Sequence, residues 1–210
     1  MIGPLHTTTR WCGTAAALAL WSLLAGCSTT PPTRFYALDA VAVPASAAGQ
    51  ASVPGPRPGA AATTVAVRTV AVPGAVDRPQ FVVRSGDSRV SLDEYHRWAG
   101  PLRDEIARVV AGNLAADLGG PVVTVSAALP STSDLVVLLD VQRFDAKAGE
   151  GVEVDVVWIV RRAADDAPGR SGRSVVRESA SGTGYEALVA AYNRALARAS
   201  RDIAAAIRAG

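Results

Sequence analysis

Histidine and cysteine are nearly absent: the 210-residue chain has two of each. His6 and Cys12 fall within an N-terminal segment that reads as a processing signal, leaving His96 and Cys27 for the mature protein. Zinc and haem sites need clusters of these residues that the chain cannot supply. A disulfide within a monomer is excluded too, although the compartment would allow one. A triad of Ser, His and acid would have to use His96, and no GxSxG elbow accompanies it. His96 reads as an ordinary polar residue beside Trp98. There is no P-loop, and Gly182-Thr183-Gly184 is only a turn before a helix. The carboxylate pairs Asp93/Glu94, Asp104/Glu105 and Asp165/Asp166 diverge on a helix or strand, or sit in a loop, where solvation is their role. No charge surplus stands out, with 21 Lys+Arg against 19 Asp+Glu. No block of five like charges occurs, so nucleic acid is not an expected partner. The chain therefore reads as a non-enzyme without metal or cofactor.

A hydrophobic run long enough to cross a bilayer is also lacking. Trp11 to Leu24 is an apolar, Ala/Leu-rich stretch preceded by one charge, Arg10, and followed by Ala25, Gly26 and Cys27. This length fits the apolar region of a secretory signal. The ending Leu24-Ala25-Gly26-Cys27 resembles a bacterial lipobox, in which the Cys sulfur takes a diacylglyceryl group and cleavage leaves that Cys first. An ordinary signal peptide with an incidental Cys is the plainer alternative. Residues 1–26 are thus expected to be a lipoprotein signal peptide, and Cys27 the lipidated residue. Two or three acyl chains hold a protein stably on a membrane it does not cross. Ser28 replaces the Asp that retains lipoproteins at the inner membrane of enteric bacteria, favouring the periplasmic side of the outer membrane.

Residues 27–33 read as a lipidated tether leading to a single domain at 34–210. Arg34-Phe35-Tyr36-Ala37-Leu38 has the character of a first strand. Val43 to Ala62 is rich in Ala, Pro, Gly and Ser and reads as a flexible loop joining two strands. Thr63 to Val72 alternates as a strand, and Pro73-Gly74 stops it. Gln80 to Arg84 and Arg89 to Leu92 look like short arms of a hairpin. Asp134 to Phe144 puts Leu135, Val137, Leu139 and Val141 on one face. After a turn, Val152, Val154, Val156, Trp158 and Val160 share a face opposite Glu153, Asp155 and Arg161, making a long antiparallel hairpin with one wet side. Arg173 to Ser179 and Val122 to Val125 add further strands.

Two helices stand out. Leu102, Ile106, Val109, Val110, Leu114 and Leu118 follow one helical face, entered at Pro101 and closed by Gly119-Gly120. Asn113 falls inside that stripe and is either a core anchor to neighbouring backbone or part of a functional surface. In the final helix Thr183 and Glu186 have the spacing of a capping box. Tyr185, Leu188, Val189, Tyr192, Leu196, Ile203 and Ile207 line one side. Arg194, Arg198, Arg201 and Arg208 lie within about 80° of arc on the other. That stripe meets either anionic lipid head groups or an acidic partner, or is a solvated face in a protein with a single Lys. The expected class is α+β, a mostly antiparallel sheet with both amphipathic helices packed on it.

The lipobox, Arg34-Phe35-Tyr36-Ala37-Leu38, Asp77-Arg78-Pro79-Gln80-Phe81-Val82-Val83-Arg84, Arg97-Trp98-Ala99-Gly100-Pro101-Leu102, Asp140-Val141-Gln142-Arg143-Phe144-Asp145 and the Tyr185 helix together resemble the PqiC/YmbA lipoproteins. The resemblance covers essentially the whole mature chain. It departs at Gly100, often acidic in the family, and in the insert at Val43 to Ala62. These proteins are auxiliary lipoproteins of ABC-type or MCE-protein lipid transport systems in Gram-negative bacteria. The resemblance implies a non-catalytic lipoprotein that docks an MCE-domain protein and supports phospholipid movement and envelope integrity, with a homo-oligomeric ring as an analogy to the tunnel. Asp77, Arg78, Gln80, Arg84 and Trp98 are the candidate docking residues, although Trp98 and Phe81 suit a core equally. A lipid- or small-ligand-binding lipoprotein and a purely structural envelope lipoprotein are the alternatives.

Overall fold

Alternating apolar and polar residues build a long hairpin at the centre of the fold. The computed structural model describes residues 31–41, 63–86, 88–119, 122–125, 133–164 and 169–209. The expected signal peptide at 1–26, Cys27, the start of the expected tether and the expected loop at 43–62 lie outside the described residues. Strand β6 (Leu135–Lys147) turns back through Ala148 to Glu150 into β7 (Gly151–Arg162), which pairs antiparallel with β8 (Arg170–Ser179). Val137, Leu139, Val141, Phe144 and Ala146 stand opposite Val160, Trp158, Val156, Val154 and Val152, and all ten are buried.

The free edge of β6 takes two partners in succession. Its first half pairs in parallel with β2 (Thr64–Ala71), which pairs in parallel with β5 (Val122–Val125). Its far end touches β3 (Gln80–Arg84) through the single pair Arg84 and Lys147. β3 then pairs antiparallel with β4 (Val90–Trp98), and β4 in parallel with β1 (Arg34–Tyr36). The sheet is therefore forked, and it is mixed rather than mostly antiparallel. The antiparallel pairs β3–β4, β6–β7 and β7–β8 join sequence-adjacent strands, whereas the parallel pairs join strands separated by a helix or long connection.

Helices α1 (Leu102–Leu118) and α2 (Tyr185–Arg208) complete the α+β architecture. α1 buries Leu102, Ile106, Val109, Val110 and Leu114, and Gly119 ends it in the left-handed region at φ 66°. α2 buries Leu188, Val189, Tyr192, Leu196 and Ile203. Its N-cap is Gly184 and no side-chain cap is made, so the capping box expected from Thr183 and Glu186 does not form. The first helix packs on β2 and β5, the second on β7 and β8, and the two on each other. Both helices thus cover the same face of the sheet.

With only one ladder pair joining β3 to β6, the fork is filled from the helix side by rings. Phe81 stacks on Trp98 at 4.5 Å and Phe144 on Tyr192 at 3.9 Å, with Trp98 edge-on to both members of the second pair. Ring burial of this size substitutes for backbone pairing in holding the β3–β4–β1 branch.

Candidate functional site

The face of β6, β7 and β8 turned away from the helices carries an ion-pair ladder. Register sets Arg143 opposite Asp155, Asp145 opposite Glu153, and Glu153 opposite Arg177. Arg84 Nε donates to Asp145 Oδ2 at 2.8 Å from the neighbouring branch, and Arg143 lies between Asp145 at 3.9 Å and Glu153 at 3.3 Å. Arg177 reaches Glu153 at 3.0 Å. Arg173 donates to both oxygens of Asp155, at 2.9 and 2.6 Å. Those bonds hold the Asp155 carboxyl below its ordinary range against the cost of its burial, with Arg143 adding to the effect. Where the β6–β7 turn meets the ends of β3 and β8, a cleft of about 520 Å³ opens, lined by Arg84, Arg143, Asp145, Lys147, Glu153 and Arg177. Exposed Ile159 and Val175 lie on the same face. Alternating charges with aliphatic neighbours make a surface suited to polar recognition by a protein, where charge complementarity sets specificity.

Between β4 and α2 lies a second polar cluster. Tyr185 donates its hydroxyl to Asp93 Oδ2 at 2.6 Å, and the His96 ring stacks on Tyr185 at 4.0 Å with Nδ1 3.0 Å from that oxygen. Burial works against the Asp93 charge, but the Tyr185 hydroxyl, His96 and the Tyr95 amide outweigh it and hold the carboxyl at about 2. Burial and Asp93 push the Tyr185 phenol up. A general acid or base works best near the operating pH, and these two groups are driven away from it. Asp93 is accordingly a structural acceptor, not the solvating carboxylate expected beside Glu94.

The third polar region lies between the helices. After β1 the chain is pinned across them: Glu105 accepts from Leu38 N at 3.2 Å, Asn193 from Asp39 N at 3.0 Å, and Asn113 from Val41 N at 3.1 Å. Asn113 is thus a core anchor to neighbouring backbone, the first of its two expected readings. Its Oδ1 anchors backbone, while Nδ2, on a residue only 3% exposed, has no acceptor among the described residues. A buried donor left unsatisfied costs about 1–3 kcal/mol.

Of the expected docking residues, Asp77, Arg78 and Gln80 lie beside the end of β4 that carries Trp98, whereas Arg84 lies at the far end of β3. Asp77 and Arg78 lie exposed on the turn after Pro73, where Asp77 meets Arg103 at 3.4 Å and Arg78 donates to Gly74 O at 3.3 Å. Gln80 donates to Glu94 at 3.3 Å. Arg84 enters the ionic cleft, whereas Trp98, 5% exposed, belongs to the core. Arg194 and Arg198 turn back onto Glu178 at 3.1 and 2.6 Å, so that part of the stripe is not a freely solvated face. The partners of Arg84 escaped sequence reading; the charged side of β7, Glu153 and Asp155, was its one visible trace.

A family model described as "ABC-type transport auxiliary lipoprotein component" matches residues 43–204. No curated protein matches the sequence. In fold, the chain is similar to an uncharacterized protein in a crystal structure, at TM-score 0.65 and 18% identity, covering 84% of this chain and 99% of that one. It is also similar to a Xanthomonas campestris protein, at TM-score 0.57 and 18% identity, covering 82% and 93% respectively. Among the described residues no helix is long and apolar enough to cross a membrane. With the model spanning most of the forked sheet and both helices, the chain belongs to the family of ABC-type transport auxiliary lipoprotein components.

Proposed function

We propose that this chain is a non-catalytic periplasmic accessory of an MCE-type lipid transport system, acylated at Cys27 and held on the inner leaflet of the outer membrane. In this role it docks the MCE-domain protein of the same system and supports phospholipid movement between membranes. The observation that carries the reading is the one-sided burial of the sheet. Both helices cover one face, leaving the other with the Arg84, Arg143 and Arg177 ladder and its 520 Å³ cleft. Interfaces favour Arg anchors whose carboxylate partners fix them in place beforehand. The acyl chains supply the membrane attachment, and the ionic face supplies the partner.

The test is co-purification of the full chain with the MCE-domain protein. The variants Arg84→Glu and Arg177→Glu, singly and together, are expected to reduce recovery at least tenfold while the circular dichroism spectrum is retained. Undiminished recovery of the double variant would overturn the docking face. Mass spectrometry of the mature amino terminus tests the anchor separately: an unmodified Cys27 removes the membrane half of the proposal.

A further inference from the structure

We propose that the groove between α1 and α2 is a binding site for a singly charged oxyanion, of the kind carried by a phosphodiester headgroup. The groove holds a cavity of about 290 Å³. Three of its cations come from one face of α2, Arg194, Arg198 and Arg201, and its opposite wall carries Asn113. Arg194 and Arg198 are set in place by Glu178, and Arg194 also donates to Ser179 O at 2.7 Å. Arg201 makes no ion pair among the described residues and is exposed. Asp117 and Glu178 are the carboxylates of the lining, so three positive charges face two negative ones. One bound negative charge brings the cavity to neutrality.

The orientation of Asn113 supplies the second observation. Its oxygen is committed to Val41 N–H, which fixes the amide and leaves Nδ2 as a buried donor without an acceptor among the described residues. An oxyanion provides the counter-charge that Arg201 lacks among the described residues, against a wall held in place by the fixed Asn113 amide. Preset guanidinium groups are the side chains best matched to phosphate geometry. The cavity is below the usual range for drug-sized ligands, so it takes a headgroup and leaves acyl chains outside. The site lies on the helix side of the sheet, away from the ionic ladder, and does not depend on the docking reading.

Calorimetric titration of the full chain in neutral detergent provides the test, with inorganic phosphate and dihexanoyl phosphatidylglycerol as separate probes. Saturable binding of the lipid, displaced by phosphate, supports the site and identifies a headgroup as its ligand. Binding of phosphate alone supports it with a free anion as ligand. Arg201→Gln is expected to weaken binding at least tenfold. Asn113→Asp, which keeps the Val41 acceptor but replaces the donor by a negative charge, should abolish it. Arg89→Gln, on the β3–β4 turn, should bind as wild type. Absence of saturable binding by either probe, or wild-type affinity in Arg201→Gln, overturns the proposal; that variant alters an exposed side chain, so it also decides the matter if Asn113→Asp fails to fold.

Discussion

Removing the Tyr185 hydroxyl tests whether the Asp93 cluster ties β4 to α2 as a charged unit. Tyr185→Phe keeps the ring that stacks on His96 and meets Phe81 edge-on but removes the 2.6 Å bond to Asp93. In the folded wild type the Asp93 carboxyl is lowered from 3.8 to about 2. At 1.36 kcal/mol per unit this displacement is worth about 2 kcal/mol, and partial solvent access to the carboxylate reduces it to about 1 kcal/mol. A folded-state value below the unfolded one stabilises the fold at pH above 3.8, and that contribution fades as pH falls from 3.8 toward 2. Tyr185 shares that effect with His96 and the Tyr95 amide, so the expected outcome is a Tyr185→Phe protein less stable at pH 7 by up to about 1 kcal/mol, with the deficit shrinking as the pH approaches 2. Urea unfolding at pH intervals from 2 to 7, read as the difference between wild type and variant, measures it without interference from other carboxylates. A difference constant across that range would refute the charged role of Asp93 and leave only a neutral hydrogen bond.

Gly172→Ala should cost about 3 kcal/mol in urea unfolding, because a Cβ there would fall 2.2 Å from Trp158 Cζ2 and overpacked cores typically lose 1–3 kcal/mol. Ser174→Ala should cost about 1–3 kcal/mol, since Trp158 Nε1 donates to Ser174 Oγ at 3.1 Å and that hydroxyl donates to Asp202 at 2.6 Å; an unchanged midpoint would mean that the indole finds another acceptor. Arg173→Met should lower the urea midpoint, by less than the loss of a fully buried pair, because Arg173 is 62% exposed while Asp155 is 8% exposed. Arg173→Met combined with Asp155→Val should recover most of that loss, and a double-mutant cycle showing simple additivity would count against the pair.

Local periodicity made both helices legible. The apolar stripe from Leu102 to Leu118 and the glycine after it are written in adjacent residues, and α1 ends at Gly119 as that spacing implies. Strand positions were legible for the same reason, because the alternation in Val152 to Val160 depends only on neighbours. Strand direction was not. Nothing in Val65 and Val67 distinguishes a parallel from an antiparallel neighbour, and their pairing with Leu135 and Val137 is decided by where α1 and the long connections place the strands. The Arg stripe of α2 was legible as a stripe, but Glu178, which turns two of its members inward, lies on another element.

The ionic face was hidden for a more specific reason. Strict alternation through β6 from Leu135, Val137, Leu139 and Val141 would place Arg143 and Asp145 on the core side and Phe144 on the wet side. The register instead shifts between Val141 and Arg143, so that Val141 opposes Val156 and Arg143 opposes Asp155, with Gln142 as the extra residue. One residue of slip exchanges the two faces of a strand. Beyond this bulge Phe144 and Ala146 point into the core, where Phe144 stacks on Tyr192, and Arg143 and Asp145 point out to meet Glu153 and Arg84. The aromatic packing that fills the fork and the ladder offered to a partner are therefore two consequences of the same inserted glutamine. A residue whose own side chain is exposed determines which chemistry each side of the sheet presents.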